Sequence, residues 1–357
     1  MISIILGTRP EIIKMSPVIR ECEKRGIKYN IIHSGQHYSE NMDKVFFDQL
    51  DIPRPDYNLN VGSGEQGEQT AKILSGIERI FQENKPDIVL VQGDTNTVLA
   101  GALAAAKMNI SVGHIEAGLR SYFREMPEEI NRVLTDHCSD FLFAPTEKSK
   151  NILLNEGIDK GKIFLTGNTV VDSVIQNLEL SKSGTDLFKS LRMSFDNYFL
   201  ATIHRKENVD SKDVFRGILK ALSEISEEYN TSVVYPIHPR SRKMISQFGL
   251  KSEGIIFTEP LDYLTFLQAE KNARLILTDS GGVQEEACIL GVPCVTIRNN
   301  TERPETIDVG ANILGGTDKN RIKEATDIMM KSKKKWQNPF GDGNAAKYIL
   351  DIISSKD

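Results

Sequence analysis

The sequence predicts an α/β protein made of two Rossmann-like parallel-sheet domains facing a central cleft. Three observations carry that expectation. Short β-branched runs alternate with longer segments of helical period, the pattern of strand, helix and strand that builds a parallel sheet. The alternation lapses near residues 170–185 and then restarts. At 357 residues the chain also exceeds the usual size of one hydrophobic core, so two domains of under about 200 residues each are expected.

The first beat opens with a strand at residues 2–6, a helix at 11–25 and a strand at 29–33. A helix at 67–84, a strand at 87–91, a helix at 95–108 and a strand at 111–115 continue it. Strands at 141–144 and 162–166 follow, then a helical stretch from Thr169. The polar segment 181–185 carries few core residues and suits an interdomain connection. Residues 1–172 are therefore expected to form one domain and 173–343 the other. The second beat has strands at 198–203, 231–236, 254–257, 274–278 and finally 293–297, with helices at 213–229 and 262–272. Residues 344–354 are helical in period, which does not decide the domain they join.

Composition narrows the function. Charged residues make up 26% of the chain and the formal net charge is −5, which leaves no broad basic surface for nucleic acid. The apolar N-terminal run is strand-sized and no basic segment precedes it, so a soluble, cytoplasmic protein without membrane contact is expected. Cys22, Cys138, Cys288 and Cys294 lack the paired spacing of zinc or thioredoxin motifs and read as buried reduced thiols. No G-x-G-x-x-G follows the first strand, no G-x-x-x-x-G-K-[ST] occurs, and no histidine pair has zinc spacing. Neither cofactor nor metal is expected.

Ligands of open parallel sheets bind beyond the carboxyl ends of the strands, and here those positions are polar. After the first strand, Gly7 permits a tight turn, Pro10 suits a helix start, and Arg9 with Lys14 forms a candidate anion pocket. After the strand ending at Val91, Asp94 or Thr95 is placed to cap the next helix. Glu116 stands flush after an apolar run, where a carboxylate is costly without polar partners. Glu128 and Glu129 begin a helix, where the dipole accommodates both and only one need do more. In the second half, Ser280, Gly281 and Gly282 open a helix whose bare amides suit a pyrophosphate. Glu286, further along that helix, is placed to accept from ribose hydroxyls or simply to face solvent. His204 is the histidine set beside an anion site, whereas His33, His37, His114, His137 and His238 have less clear settings.

Gly7-Thr8-Arg9-Pro10-Glu11, Gln92-Gly93-Asp94-Thr95, His114 to Arg120, Pro127-Glu128-Glu129, Gly167-Asn168-Thr169, His204-Arg205, Asp279 to Glu286 and Arg303-Pro304-Glu305 stand in one order along the chain. Through these blocks the sequence resembles the non-hydrolysing UDP-N-acetylglucosamine 2-epimerase family. The resemblance implies a GT-B-like fold, a homodimer, and a final helix that returns to the first domain, adding residues 344–357 to it. It implies reversible epimerisation of UDP-N-acetylglucosamine and UDP-N-acetylmannosamine at C2, by elimination of UDP to a 2-acetamidoglucal and re-addition, in the supply of surface polysaccharide or glycan synthesis.

Carried over by motif, Asp94, Glu116 and Glu128 would act on the sugar and His204 near the leaving diphosphate. Arg9, Lys14, Arg132, Ser280, Gly281, Gly282, Glu286 and Arg303 would hold the nucleotide sugar, and Phe266 would lie near the uracil. Family members of bacterial origin are activated by substrate at a second site involving Gly35-Gln36-His37 and Gln69-Thr70. Here Glu68 stands where those relatives often carry a basic residue, which argues against such activation. Three rival readings remain: a GT-B glycosyltransferase, a hydrolysing epimerase, and a nucleotide-binding module without catalysis.

Overall fold

The computed structural model describes residues 1–35, 46–181, 197–332 and 335–355. Its strands form two wholly parallel sheets, and the chain divides into two compact units, Met1–Gln176 with Phe340–Asp357, and Asn177–Pro339.

The first unit contains β1 (Ile2–Leu6), α1 (Arg9–Arg25), β2 (Tyr29–His33), β3 (Tyr57–Asn58), α2 (Gln66–Glu83), β4 (Ile88–Gln92) and α3 (Asn96–Lys107). It continues with β5 (Ser111–Ile115), α4 (Pro127–Cys138), β6 (Phe141–Ala144), α5 (Glu147–Asn155), β7 (Ile163–Leu165) and most of α6 (Thr169–Ser181). The strand order is β3-β2-β1-β4-β5-β6-β7. Chain order reverses between β1 and β4, the switch point at which a doubly wound sheet opens a crevice. Ile4, Ile5, Leu6 and Val89 to Val91 are fully buried because helices cover both faces of the sheet, which is why these strands read as unbroken apolar runs.

The second unit contains β8 (Tyr198–Thr202), α7 (Lys206–Val209), α8 (Lys212–Glu228), β9 (Ser232–Pro236), α9 (Pro239–Phe248), β10 (Ile255–Thr258) and α10 (Tyr263–Lys271). Next come β11 (Leu275–Thr278), α11 (Gly281–Leu290), β12 (Cys294–Thr296), α12 (Pro304–Asp308), β13 (Asn312–Leu314) and α13 (Lys319–Lys331). The order β10-β9-β8-β11-β12-β13 puts the switch between β8 and β11. Phe199, Leu275 and Leu277 of the sheet pack with Phe215, Ile218 and Leu222 of α8.

The last helix, α14 (Ala345–Ser354), belongs to the first unit. Arg25 of α1 pairs with Asp351 at 2.7 Å, and Asp172 accepts hydrogen bonds from the amides of Ala345 at 3.2 Å and Ala346 at 3.0 Å. Those amides open a helix and have no partner within it, so the buried carboxylate supplies one. Burial nevertheless raises the Asp172 carboxyl to about 6, against the pull of the two amides.

Several elements depart from the sequence expectation. Residues 293–297 are not the last strand, because β13 follows β12 at the sheet edge; its three residues are too few to show a period. Helices α5, α9 and α13 were not anticipated. In α9 only Ser241 is fully buried and just Met244 and Ile245 pack, partly buried, on the core, an apolar face too narrow to betray a helix. All four cysteines are free and three are buried, with Cys138 partly exposed. No helix among the described residues is long and apolar enough to cross a membrane.

Candidate functional site

In the first unit one carboxylate joins the polar turns after β1 and β4. Glu11, on the first turn of α1, is almost fully buried and accepts from the Gly7 amide at 2.6 Å and from the Thr95 hydroxyl at 2.7 Å. It thereby ties the loop after β1 to the loop after β4. Burial drives its carboxyl up to about 7, with the Thr95 and Gly7 bonds pulling the other way. Gly7 is required by proximity, since a Cβ there would lie 2.1 Å from the Thr97 hydroxyl. Arg9 is the first residue of α1 and Pro10 the second, inside the turn whose amides have no helical acceptor.

Glu116 follows β5 directly with φ of +72°, a left-handed conformation that costs a non-glycine residue on the order of 1 kcal/mol or more. Its buried carboxylate accepts from Lys14 Nζ at 2.6 Å, from Asn168 Nδ2 at 3.0 Å and from Gln92 Nε2. These charged and neutral donors replace the water that burial removes.

Thr95, not Asp94, caps α3, accepting from the Val98 amide at 3.4 Å. Asp94 instead forms an ion pair with Arg132 of α4. Arg132 also reaches Glu129 at 3.0 Å, and Glu129 accepts from the amides of Ser121 at 2.8 Å and Tyr122 at 2.9 Å. Burial opposes the charge on Glu129, but those amides and Arg132 outweigh it and hold the carboxyl below its ordinary value. Glu129 is thus the structural member of the pair. Glu128 is exposed at the head of α4 and lines a cavity of about 310 Å³ with Thr8, Ser63, Gly64, Gln66, Gln69, Thr95, Asn96, Pro127 and Asn131.

Lys14 and Arg9 do not share one anion pocket. Lys14 is turned onto Glu116, while the exposed Arg9 guanidinium lies 5.8 Å from the Phe46 ring centroid. His114 is structural: buried, it bonds Asp136 at 2.6 Å and the Gly93 carbonyl at 2.8 Å. Gln36 and His37 lie outside the described residues.

The second unit repeats the plan at its own switch point. Asp279, the residue after β11, is fully buried and accepts from the amides of His204 and Arg205 at 2.9 Å each and from Asn208 at 3.0 Å. The His204 ring lies 3.1 Å from the same carboxylate and 5.6 Å from the His238 ring. Burial opposes ionisation of Asp279, yet His204 and the surrounding donors hold its carboxyl below the usual range. His238 is pushed down, first by burial and then by the neighbouring His204.

Ser280 is the N-cap of α11, and no side chain caps that end. The first amides of α11, at Gly281 and Gly282, are therefore available to an anion, and nothing lies within 4 Å of a Cβ at Gly282. Arg303, at the head of α12, is turned onto Glu285 at 2.7 Å. Arg298 grips Glu302 with bonds of 2.8 and 2.9 Å, which with Arg205 lowers that carboxyl to about 2 against the effect of burial. Phe266 on α10 and Glu286 on α11 are both partly buried.

The sequence reading gave no role to Glu11, Gln92, Asn168 or Asp279. Asp279 carried the same signal as Glu116, a carboxylate flush after an apolar strand; Glu11 lay hidden in an ordinary acidic first turn.

The family model for UDP-N-acetylglucosamine 2-epimerase matches residues 20–354. A UDP-N-acetylglucosamine 2-epimerase of Methanocaldococcus jannaschii is 56% identical, over 99% of this chain and 98% of its own. One from Methanococcus maripaludis is likewise 56% identical, over 99% and 98%. The crystal structure of the Methanocaldococcus jannaschii UDP-GlcNAc 2-epimerase in complex with UDP-GlcNAc and UDP superimposes with a TM-score of 0.88 at 56% identity, covering 99% of both chains.

Two parallel-sheet units, one bearing a carboxylate set and the other an open helix start, define an isomerase of the nucleotide-sugar class. The chain belongs to the UDP-N-acetylglucosamine 2-epimerase family.

Proposed function

We propose that the protein interconverts UDP-N-acetylglucosamine and UDP-N-acetylmannosamine by eliminating UDP and adding it back. The observation that carries the reading is the carboxylate arrangement of the first unit: Glu116 fixed by Lys14, Gln92 and Asn168, Asp94 paired with Arg132, and Glu128 open to a polar cavity.

The chemistry asks for such a set. The C2 proton of an N-acetylhexosamine has no adjacent carbonyl to acidify it. Breaking the bond from C1 to the diphosphate oxygen first places positive charge on the ring, and an ordinary carboxylate can then accept the C2 proton. The products of that half-reaction are 2-acetamidoglucal and UDP. Delivering a proton to the opposite face of C2 while UDP returns to C1 gives the epimer, which requires acid and base groups on two sides of a held intermediate. Asp94, Glu116 and Glu128 serve as that set.

In the second unit, Ser280, Gly281 and Gly282 present the diphosphate with the start of α11, and His204 and Arg303 add hydrogen-bond donors. Each such preorganised donor contributes about 3 kcal/mol to a charge developing in a dry site. Glu286 takes the ribose hydroxyls and Phe266 packs at the uracil. A homodimer accounts for Tyr122, Phe123, Ile130 and Leu134, large apolar side chains exposed on and just before α4. The product serves the synthesis of surface polysaccharide or glycan.

Proton NMR of UDP-N-acetylglucosamine with the purified protein in deuterium oxide tests the reading. Deuterium at C2 accompanied by UDP-N-acetylmannosamine is expected. Free N-acetylmannosamine would place the protein with the hydrolysing enzymes, and unchanged substrate would contradict both.

A further inference from the structure

The carboxylate of Glu116 is reached from the far end of the chain. Residues 340–346, by which the chain re-enters the first unit, run along the start of α6 and are fastened to it at three places. The carbonyl of the buried Phe340 accepts from the Asn168 amide at 2.8 Å. Gly341, at φ of +113°, passes so close to Gly167 that a Cβ on it would lie 3.1 Å from the Gly167 Cα. Asp172 then receives the amides of Ala345 and Ala346. The first of these fastenings leads inward. The side-chain oxygen of the buried Asn168 accepts from the Val170 amide at 3.0 Å, which turns its Nδ2 group toward Glu116, also at 3.0 Å.

Lys14 and Gln92 reach the same carboxylate from α1 and β4. Asn168 instead sits in the turn ahead of α6, against the returning chain. We propose that the return segment Phe340–Gly341 is a positioning element for the reaction: by holding the backbone of Gly167 and Asn168 it aims the Asn168 donor and so sets where the Glu116 carboxylate stands. The inference rests on the reading that Glu116 acts on the sugar. Hydrogen bonds of this kind run from about 2.7 to 3.2 Å, so a small shift of the turn weakens this one. A reacting group displaced by about 1 Å loses on the order of 10²-fold in rate, and a remote backbone contact thereby becomes part of catalysis.

The test is the rate at which solvent deuterium enters C2 of UDP-N-acetylglucosamine, measured for the full chain over a range of substrate concentration, with a melting curve beside each assay. Gly341→Ala places a side chain in the left-handed region and against Gly167, and is expected to lower kcat about 30-fold while KM changes by less than about threefold. Phe340→Leu disturbs the same carbonyl more gently, for use where Gly341→Ala does not fold, and about fivefold in kcat is expected. Asn168→Asp keeps an acceptor for the Val170 amide and the bond to Phe340 but withdraws the donor, and is expected to lower kcat about 10²-fold. Each substitution is then repeated in a Glu116→Gln background. A segment that works through Glu116 has no reacting carboxylate left to position there, so each change is expected to alter the residual rate by less than about twofold. A merely structural contact would lower the melting temperature and cost the same factor in both backgrounds, and that result overturns the proposal. Coupling shown by Asn168→Asp but by neither Gly341→Ala nor Phe340→Leu overturns the role of the return segment. A Glu116→Gln protein that turns over at the wild-type rate overturns the reading of Glu116, and this proposal with it.

Discussion

In the first unit the loop after β1 is anchored on Glu11, whose carboxylate is met by the Gly7 amide and the hydroxyls of Thr95 and Thr8; in the second, the loop after β8 is anchored on Asp279, which is met by two amides, an asparagine and an imidazole. Both carboxylates are buried, both stand at a switch point, and both tie together neighbouring loops. Burial moves Glu11 up to about 7 but fails to raise Asp279, which stays below its ordinary value. The difference lies in the donors. Three neutral bonds to Glu11, beside the opposing charge of Asp94, do not replace the hydration it loses, whereas the bonds to Asp279, an imidazole among them, do. The unit proposed to move protons therefore holds a carboxyl that titrates near neutrality. The unit proposed to hold the nucleotide has an anchor that stays ionised there.

The largest test of this division is Glu128→Gln. The residue is exposed and touches no anchor, so its loss is expected to lower kcat on the order of 10³-fold while stability changes by no more than about 0.5 kcal/mol. Steady-state kinetics with a thermal melt would show it; an active variant would remove Glu128 from the catalytic set.

Second in size is the pH dependence of folding. The Glu11 carboxyl is raised, so its stabilising contribution is complete below its ordinary value near 4.5 and is lost as pH rises toward about 7. A displacement of that size corresponds to roughly 3 kcal/mol. Urea unfolding of wild type relative to Glu11→Gln should show stability falling by that order between pH 4.5 and 7. Glu302 has the opposite sign: its contribution is present above about 4.5 and is lost as pH falls toward about 2. Its Glu302→Gln variant should therefore differ from wild type most at neutral pH and least in acid. Parallel profiles for both variants would dissolve the contrast.

Asp279→Asn should cost about 2 kcal/mol, because it replaces charge-assisted bonds with neutral ones at a buried anchor, and should weaken UDP binding by releasing His204. The smallest effects come from helix caps, one in each unit. Thr95→Ala and Asp262→Ala should each cost about 1 kcal/mol in denaturant unfolding. Only Thr95→Ala also withdraws a hydrogen bond from Glu11, so only that variant should steepen the pH profile.

Much of the architecture was legible in the sequence because buried parallel strands are long apolar runs: residues 2–6 and 29–33 were read with the bounds that β1 and β2 show. The edge strands β3 and β13, of two and three residues, carry no period and were invisible. Helix α9 escaped because it presents little apolar surface to the core. At the site, the need of Glu116 for polar partners could be inferred from the apolar run before it. The identity of those partners could not: Asn168 is 52 positions away and Lys14 is 102, and only the fold brings them together. The anchors were hardest to see, since Glu11 resembles any acidic first turn until its burial is known.

The proposed order of bond breaking is the core of the account, and positional isotope exchange reports on it directly. UDP-N-acetylglucosamine labelled with ¹⁸O at the oxygen joining C1 to the diphosphate would be incubated with the protein in deuterium oxide and followed by ³¹P and proton NMR. The account predicts that the label scrambles into non-bridging positions of the β-phosphate as deuterium enters C2, because UDP leaves and returns. Deuterium at C2 with the label still fixed in the bridge would contradict it.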